Sequence, residues 1–228
     1  MAPMDKKCNT PQVEVGRSPL ADDCMLSQST EENLTKPDLL LHSCCGPCST
    51  AVIERLADEF NITVFYYNPC ITDQDEYRKR RDNQISFIEQ FNEENAGKVR
   101  IHFREGDYSP GAFFEATQGL GNEPEGGARC TVCFKQRLEK TAETASLLGT
   151  DYFGTTLTVS PHKNYKLISE IGRKLAMVYG LSFLDRDFKK KDGFARSIRL
   201  SKKYNLYRQN YCGCKYSEIG RASCRERV

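Results

Sequence analysis

From Asp38 onward, short apolar runs alternate with segments of helical period, and that alternation restricts the chain more than any other feature. "DLLLHS" has the pattern of a short buried strand. "STAVIERLADEF" carries Val52, Ile53 and Leu56 at helical spacing, with Ser49 as its expected N-cap. "NITVFYYNP" is a β-branched and aromatic strand stopped by Asn-Pro. The charged segment "DQDEYRKRRDNQISFIEQFNEEN" predicts a long helix with Tyr77, Ile85, Ile88 and Phe91 as its inner stripe. "KVRIHFRE" is a third strand, and the Gly-rich loop "GLGNEPEGGAR" leads into a helix over "CTVCFKQRLEKTAETASLLG". A strand "DYFGTT", a helix "KNYKLISEIGRKLAMVYG" and a strand "LSFLD" complete the series. This order predicts an α/β fold, a parallel sheet with helices on both faces. In such sheets ligands sit beyond the carboxyl ends of the strands. "SCCGPCS", Asn68-Pro69 and "TTLTVSPHKN" fall at those ends.

The 228 residues are enough for one substantial core. Residues 1–36 mix Pro, Ser, Asn and charges with few large apolar groups, which predicts a disordered leader. A single α/β domain is expected over 37–217, ending in a basic, cysteine-bearing segment. "EIGRASCRERV" (218–228) follows no element pattern and reads as a non-native or disordered tail. Cys8, Cys24 and Cys224 lie in these flanks and receive no role. The sequence has no apolar run of about 18 residues and no signal pattern, so a cytoplasmic protein without membrane attachment is expected. In a reducing compartment, 11 cysteines suit metal ligation or redox work better than structural disulfides.

The remaining cysteines concentrate in three tight groups: Cys44-Cys45-x-x-Cys48, Cys130-x-x-Cys133 and Cys212-Gly213-Cys214, with Cys70 isolated. Thiolates bind soft metals, and four of them hold an iron–sulfur cluster. Zinc is the competing reading. Adjacent cysteines suit its tetrahedron less well, and the grouped thiols outnumber what one zinc uses. Cys212 and Cys214 are one residue apart. A disulfide across so short a loop would be strained and easily reduced, which suits a redox relay. Cys70 reads as packing.

His162, after a strand end, is the better histidine for proton transfer. His102 lies within a strand and reads as structural, and His42 as a core or supporting group. Asp73, Asp75 and Glu76 read first as caps of the long helix. A basic run, with Lys189, Lys190, Lys191, Arg196, Arg199, Lys202, Lys203 and Arg208 interleaved with Phe194, Tyr204 and Tyr207, suits nucleic-acid phosphates and unstacked bases.

The blocks "LHSCCGPCS", "FYYNPCIT…EYRKR", "CTVCFKQRLEKTA", "GTTLTVSPHKN" and "FLDRDFKKKDGFARSIRLSKKYNLYRQNYCGCKYS" together resemble the QueH-type epoxyqueuosine reductases, over about Asp38 to Ser217. The resemblance implies a Rossmann-like, nucleotide-hydrolase-like sheet. It also implies removal of the epoxide oxygen of epoxyqueuosine at the wobble position of tRNA, giving queuosine. By the same resemblance Cys44, Cys45, Cys130 and Cys133 hold a [4Fe-4S] cluster, and Cys212 with Cys214 form a redox-active pair. An additional iron would give Cys48 a use. An electron donor is implied but not identified. The third residue of "NPCI", Cys70, departs from the Asn expected of the family. Two other classes remain open: a metal-stabilised tRNA-binding module without turnover, and a relative of tRNA-modifying ATP pyrophosphatases. Against the latter, "SCCGPCS" stands where a phosphate-cradling S-G-G-x-D-S loop would follow the first strand.

Overall fold

A computed structural model of the chain describes residues 36–217. The leader and tail read from the sequence lie outside the described residues, apart from Lys36, whose ammonium donates to the Ala57 carbonyl at 3.3 Å.

Five strands form one sheet: β1 (Asp38–His42), β2 (Asn61–Tyr66), β3 (His102–Glu105), β4 (Tyr152–Thr155) and β5 (Ser182–Phe183). Every pairing is parallel, and the order is β3-β2-β1-β4-β5. The chain therefore winds outward in one direction from β1 to β3 and in the other from β4 to β5. The crevice between β1 and β4 is the topological switch point at which such sheets bind ligands. The expected α/β sheet, Rossmann-like in its order, is what the chain forms.

The pleat of β1 divides the core. Leu39 and Leu41 face α1 (Gly46–Leu56), α2 (Gln74–Glu94) and α6 (Gly193–Lys203), packing with Ile53, Leu56, Phe87, Phe91, Leu200 and Tyr204. Leu40 faces the opposite layer, with Leu138 and Ala142 of α4 (Ala128–Leu148) and Ile168 and Leu175 of α5 (Tyr165–Tyr179). Burial on both faces is why β1 reads as a continuous apolar run rather than an alternating one. A third apolar cluster sits at the carboxyl end of the sheet. It joins Tyr66, Ile71, Tyr77 and Phe113 to Cys70, Cys133 and Cys214.

Three local expectations are corrected. Ser49 does not cap α1. That helix starts at Gly46 with Cys45 as N-cap, because Pro47 fits the first turn, where a missing N–H costs nothing. Ser49 instead lies inside the helix and donates to the Gly46 carbonyl at 2.8 Å and to Gln84 Oε1 at 2.9 Å. Along α2, Tyr77, Ile88 and Phe91 are buried but Ile85 is only half-buried, and Arg80, Gln84 and Phe87 occupy inner positions. A short helix, α3 (Pro110–Ala116), precedes the Gly-rich loop without having been expected. Asp73 caps α2 as expected, accepting from the Glu76 N–H at 2.7 Å.

Candidate active site

The turn that follows β1 carries the densest chemistry. Cys45 is extended (φ −174°, ψ 155°), and the α1 helix then turns Cys48 back toward it. The sulfurs of Cys44, Cys45 and Cys48 consequently lie within 4.8 Å of one another. Among the described residues this is the one group of three metal-ligating side chains so arranged. Hydrogen bonds from Cys44 and Cys48 hold the Cys45 thiol well below the ordinary thiol range, against its burial, and Arg80 and Gln209 add to the effect. Gln209 Nε2 donates to Cys45 Sγ at 2.9 Å. Cys44 and Cys48 are shifted upward as the donors of this network.

Cys130 and Cys133 stand on the first turns of α4. Cys130 packs with Cys44 against the second core, and its sulfur accepts the Gly126 N–H at 3.2 Å. Cys133 pairs instead with Cys70. A hydrogen bond from Cys133 lowers the Cys70 thiol to about 6, and Cys133 is pushed well above its ordinary value. The sequence had Cys70 as packing. It is buried as expected, at 2 % exposure, and it is also Cys133's partner.

Cys212 and Cys214 are brought over the same end of the sheet by a segment clamped to α2. Arg80, 1 % exposed, binds Glu76 through Nε at 2.7 Å and donates through Nη1 to the Cys212 carbonyl at 3.0 Å and through Nη2 to the Tyr211 carbonyl at 3.3 Å. Gly213 has φ +113°, and a Cβ there would lie 2.9 Å from Ile71 Cγ1 and 3.1 Å from Arg80 Nη1. Glycine is therefore required both by conformation and by the guanidinium beneath it. Lys163 Nζ lies 2.9 Å from Cys212 Sγ. Burial opposes the charge on Lys163, but the adjoining sulfur outweighs it and the amine is shifted upward. Burial raises the Cys214 thiol to about 11.

A cavity of about 190 Å³ joins these parts, lined by Cys44, Cys48, Cys212, Lys163, His162 and Phe194 among others. A larger depression of about 490 Å³ lies against Asp38, Leu39 and Asn61, at the amino ends of β1 and β2, and no thiol lines it. The chemistry favours the smaller one. His162 is exposed at the rim. His42 is fully buried beneath the thiols, bonded to Thr155 Oγ1 at 3.0 Å and to the Tyr67 carbonyl at 3.1 Å. A carbonyl only accepts, so Nε2 carries the proton. Burial first, and Arg137 second, push this imidazole down to about 4. It is the neutral core histidine that the sequence allowed. His102 is exposed on edge strand β3.

The basic run spreads over the α6 side. Arg196 makes a two-pronged ion pair with Glu54 (2.8 and 2.6 Å), and Lys203 pairs with Glu94. Lys189 donates to the Lys163 carbonyl at 3.0 Å, linking the run to the cavity. Lys190, Lys191, Arg199 and Lys202 are exposed, and Arg208 lines the cavity rim above Phe194.

Sequence reasoning missed Arg80, Arg137, Lys163 and Gln209. For Arg137 a signal existed: it follows Cys130 by seven residues and Cys133 by four, so all three share one face of a helix.

A family model described as "Epoxyqueuosine reductase QueH" matches residues 39–220. Relatives of that name include one from Streptococcus pyogenes serotype M1, 43% identical over 187 residues, covering 82% of this chain and 72% of the relative. One from Staphylococcus epidermidis is 42% identical over 191 residues, covering 83% and 79%. One from Thermotoga maritima is 37% identical over 191 residues, covering 80% and 91%. With its thiol triad at the switch point and a match over nearly all of the described residues, the chain belongs to the epoxyqueuosine reductase QueH family.

Proposed function

We infer that this chain reduces epoxyqueuosine in tRNA to queuosine, releasing the epoxide oxygen as water. The observation that carries the reading is the thiol triad of Cys44, Cys45 and Cys48 at the sheet's switch point, in a chain of this family. The reaction consumes two electrons and two protons.

The donors at the site are all sulfur. Two buried guanidiniums flank them, and one of these, Arg137, has an Nη2 without a hydrogen-bond partner among the described residues. A thiolate set with nearby positive charge fits an iron–sulfur centre. Cys44, Cys45, Cys130 and Cys133 would hold a [4Fe-4S] cluster, leaving Cys48 for an additional iron. When bound, such a centre supplies electrons singly, and an added iron supplies Lewis acidity. Cys212 and Cys214 supply electrons as a pair. Their conversion from dithiol to disulfide releases two electrons and two protons, the stoichiometry of the reaction. Lys163 stabilises negative charge on the Cys212 sulfur. His162, at the cavity rim, donates a proton to the leaving oxygen. Phe194 offers a face for an unstacked base, and the run from Lys189 to Arg208 binds tRNA phosphates. The electron donor that restores the dithiol is a separate partner.

One experiment tests function and relay together. Reduced protein, freed of excess reductant, is given tRNA carrying epoxyqueuosine, and queuosine and thiols are counted after a single turnover. Two thiols lost per queuosine is the expected result. Queuosine with an unchanged thiol count sinks the relay, and no queuosine from reduced, iron-loaded protein sinks the function.

A further inference from the structure

Arg137 is a sparsely partnered charge in the interior of the described residues. It is 1 % exposed, on α4 one turn beyond Cys133. Its Nε reaches only the Cys133 carbonyl, at 3.3 Å, a group already used by the helix ladder. Its Nη2 is buried without any hydrogen-bond partner among the described residues. Its electrostatic neighbours include the thiols of Cys133, one helical turn before it, and of Cys70, Cys212 and Cys44, from three other stretches of chain.

The other buried cations at this end of the sheet are already engaged. Arg80 is balanced by Glu76 and saturated by two carbonyls. Lys163 is spent on Cys212. Arg129 is also buried, without an ion pair and with an unpartnered Nε among the described residues, but its Nη1 donates to the Leu120 and Gly121 carbonyls, whereas Arg137 reaches only one carbonyl that the helix already uses. An unpaired guanidinium in a protein interior is costly to keep unless something negative completes its shell.

The structure assigns Arg137 as a positioning residue for the thiolate-bound iron–sulfur centre, its free Nη2 donating to sulfur there and its charge favouring the reduced state. This rests on the reading of the site given above. Reduction adds negative charge to a centre already made anionic by its thiolates. A fixed cation close by, shielded from water, stabilises the reduced form more than the oxidised one and raises the midpoint potential.

The test compares wild type, Arg137→Gln and Arg137→Lys after anaerobic reconstitution with iron and sulfide. Iron, sulfide, circular dichroism and melting of the metal-free forms are measured, with the midpoint followed by electron paramagnetic resonance. Arg137→Gln is expected to fold normally and to show at least a tenfold lower ratio of reduced to oxidised centre at a given potential, about 59 mV for one electron. Arg137→Lys, which keeps the charge, is expected to recover more than half of that shift. A wild-type midpoint in Arg137→Gln overturns the proposal, as does an Arg137→Lys midpoint as low as that of Arg137→Gln. If neither variant loads, the metal-free forms decide. Normal folding keeps Arg137 assigned to the centre, and a lowered melt makes it merely structural and overturns the assignment. A wild type that takes up no iron and sulfide overturns the reading of the site itself, and this proposal with it.

Discussion

Cys130 and Cys133 occupy the start of one helix yet face different neighbours, Cys130 toward the core shared with Cys44 and Cys133 toward Cys70. If both belong to one four-thiolate set, removing either weakens the whole set. Cys130→Ser is therefore expected to lower iron and sulfide retention at least about tenfold after anaerobic purification. Full retention would strike Cys130 from the ligands. Single residues also mark where the sequence was opaque. The cysteine motifs are legible because few other roles need thiols at such spacing. Arg80 is not, and Arg137 shows only its spacing from Cys130 and Cys133, since a charged side chain in a helix ordinarily faces water. The burial of Arg80 follows from carbonyls brought in by another segment, which no local pattern records. Cys70 has the same difficulty: its partner stands 63 residues further along the sequence, on another element.

Helix α6 turns Leu200 and Ser201 inward and sets Arg199 and Lys202 outward. Its cations are not equivalent, because Arg196 and Lys203 already hold Glu54 and Glu94. If this face binds tRNA phosphates, Arg199→Ala with Lys202→Ala should reduce the log–log dependence of tRNA binding on salt by nearly one unit per lost contact. Lys203→Ala should reduce it less. An unchanged slope in the double variant would leave these side chains facing solvent only. The elements themselves were largely readable. The strands and the long helices repeat their period often enough to declare themselves. Helix α3 has seven residues, too few for a period to emerge, and begins with Pro110-Gly111, a pair that reads as a turn. At α1 two start signals competed, and Pro47 overrode Ser49.

Across the molecule, the two main cores on either side of the sheet are almost wholly aliphatic and aromatic, whereas the third cluster contains three cysteines. Stripping metal with a chelator is therefore expected to leave far-ultraviolet circular dichroism unchanged while speeding proteolysis between Tyr207 and Ser217. A collapse of the dichroism would show that metal supports the fold itself. The clamp on that segment has a temporal side as well. Gln209 reaches Cys45 across 164 residues, and Arg80 reaches Cys212 across 132. Synthesis runs from the amino terminus and domains begin to fold as they emerge. The thiol triad thus leaves the ribosome well ahead of Gln209, which follows Cys45 by 164 residues. Its amide neighbour Gln209 closes over it only when the final described stretch arrives, whereas Arg80 emerges earlier, on α2. If metal enters during synthesis, it has an open period that ends with that arrival, and oxidation of Cys44, Cys45 and Cys48 would compete for the same interval.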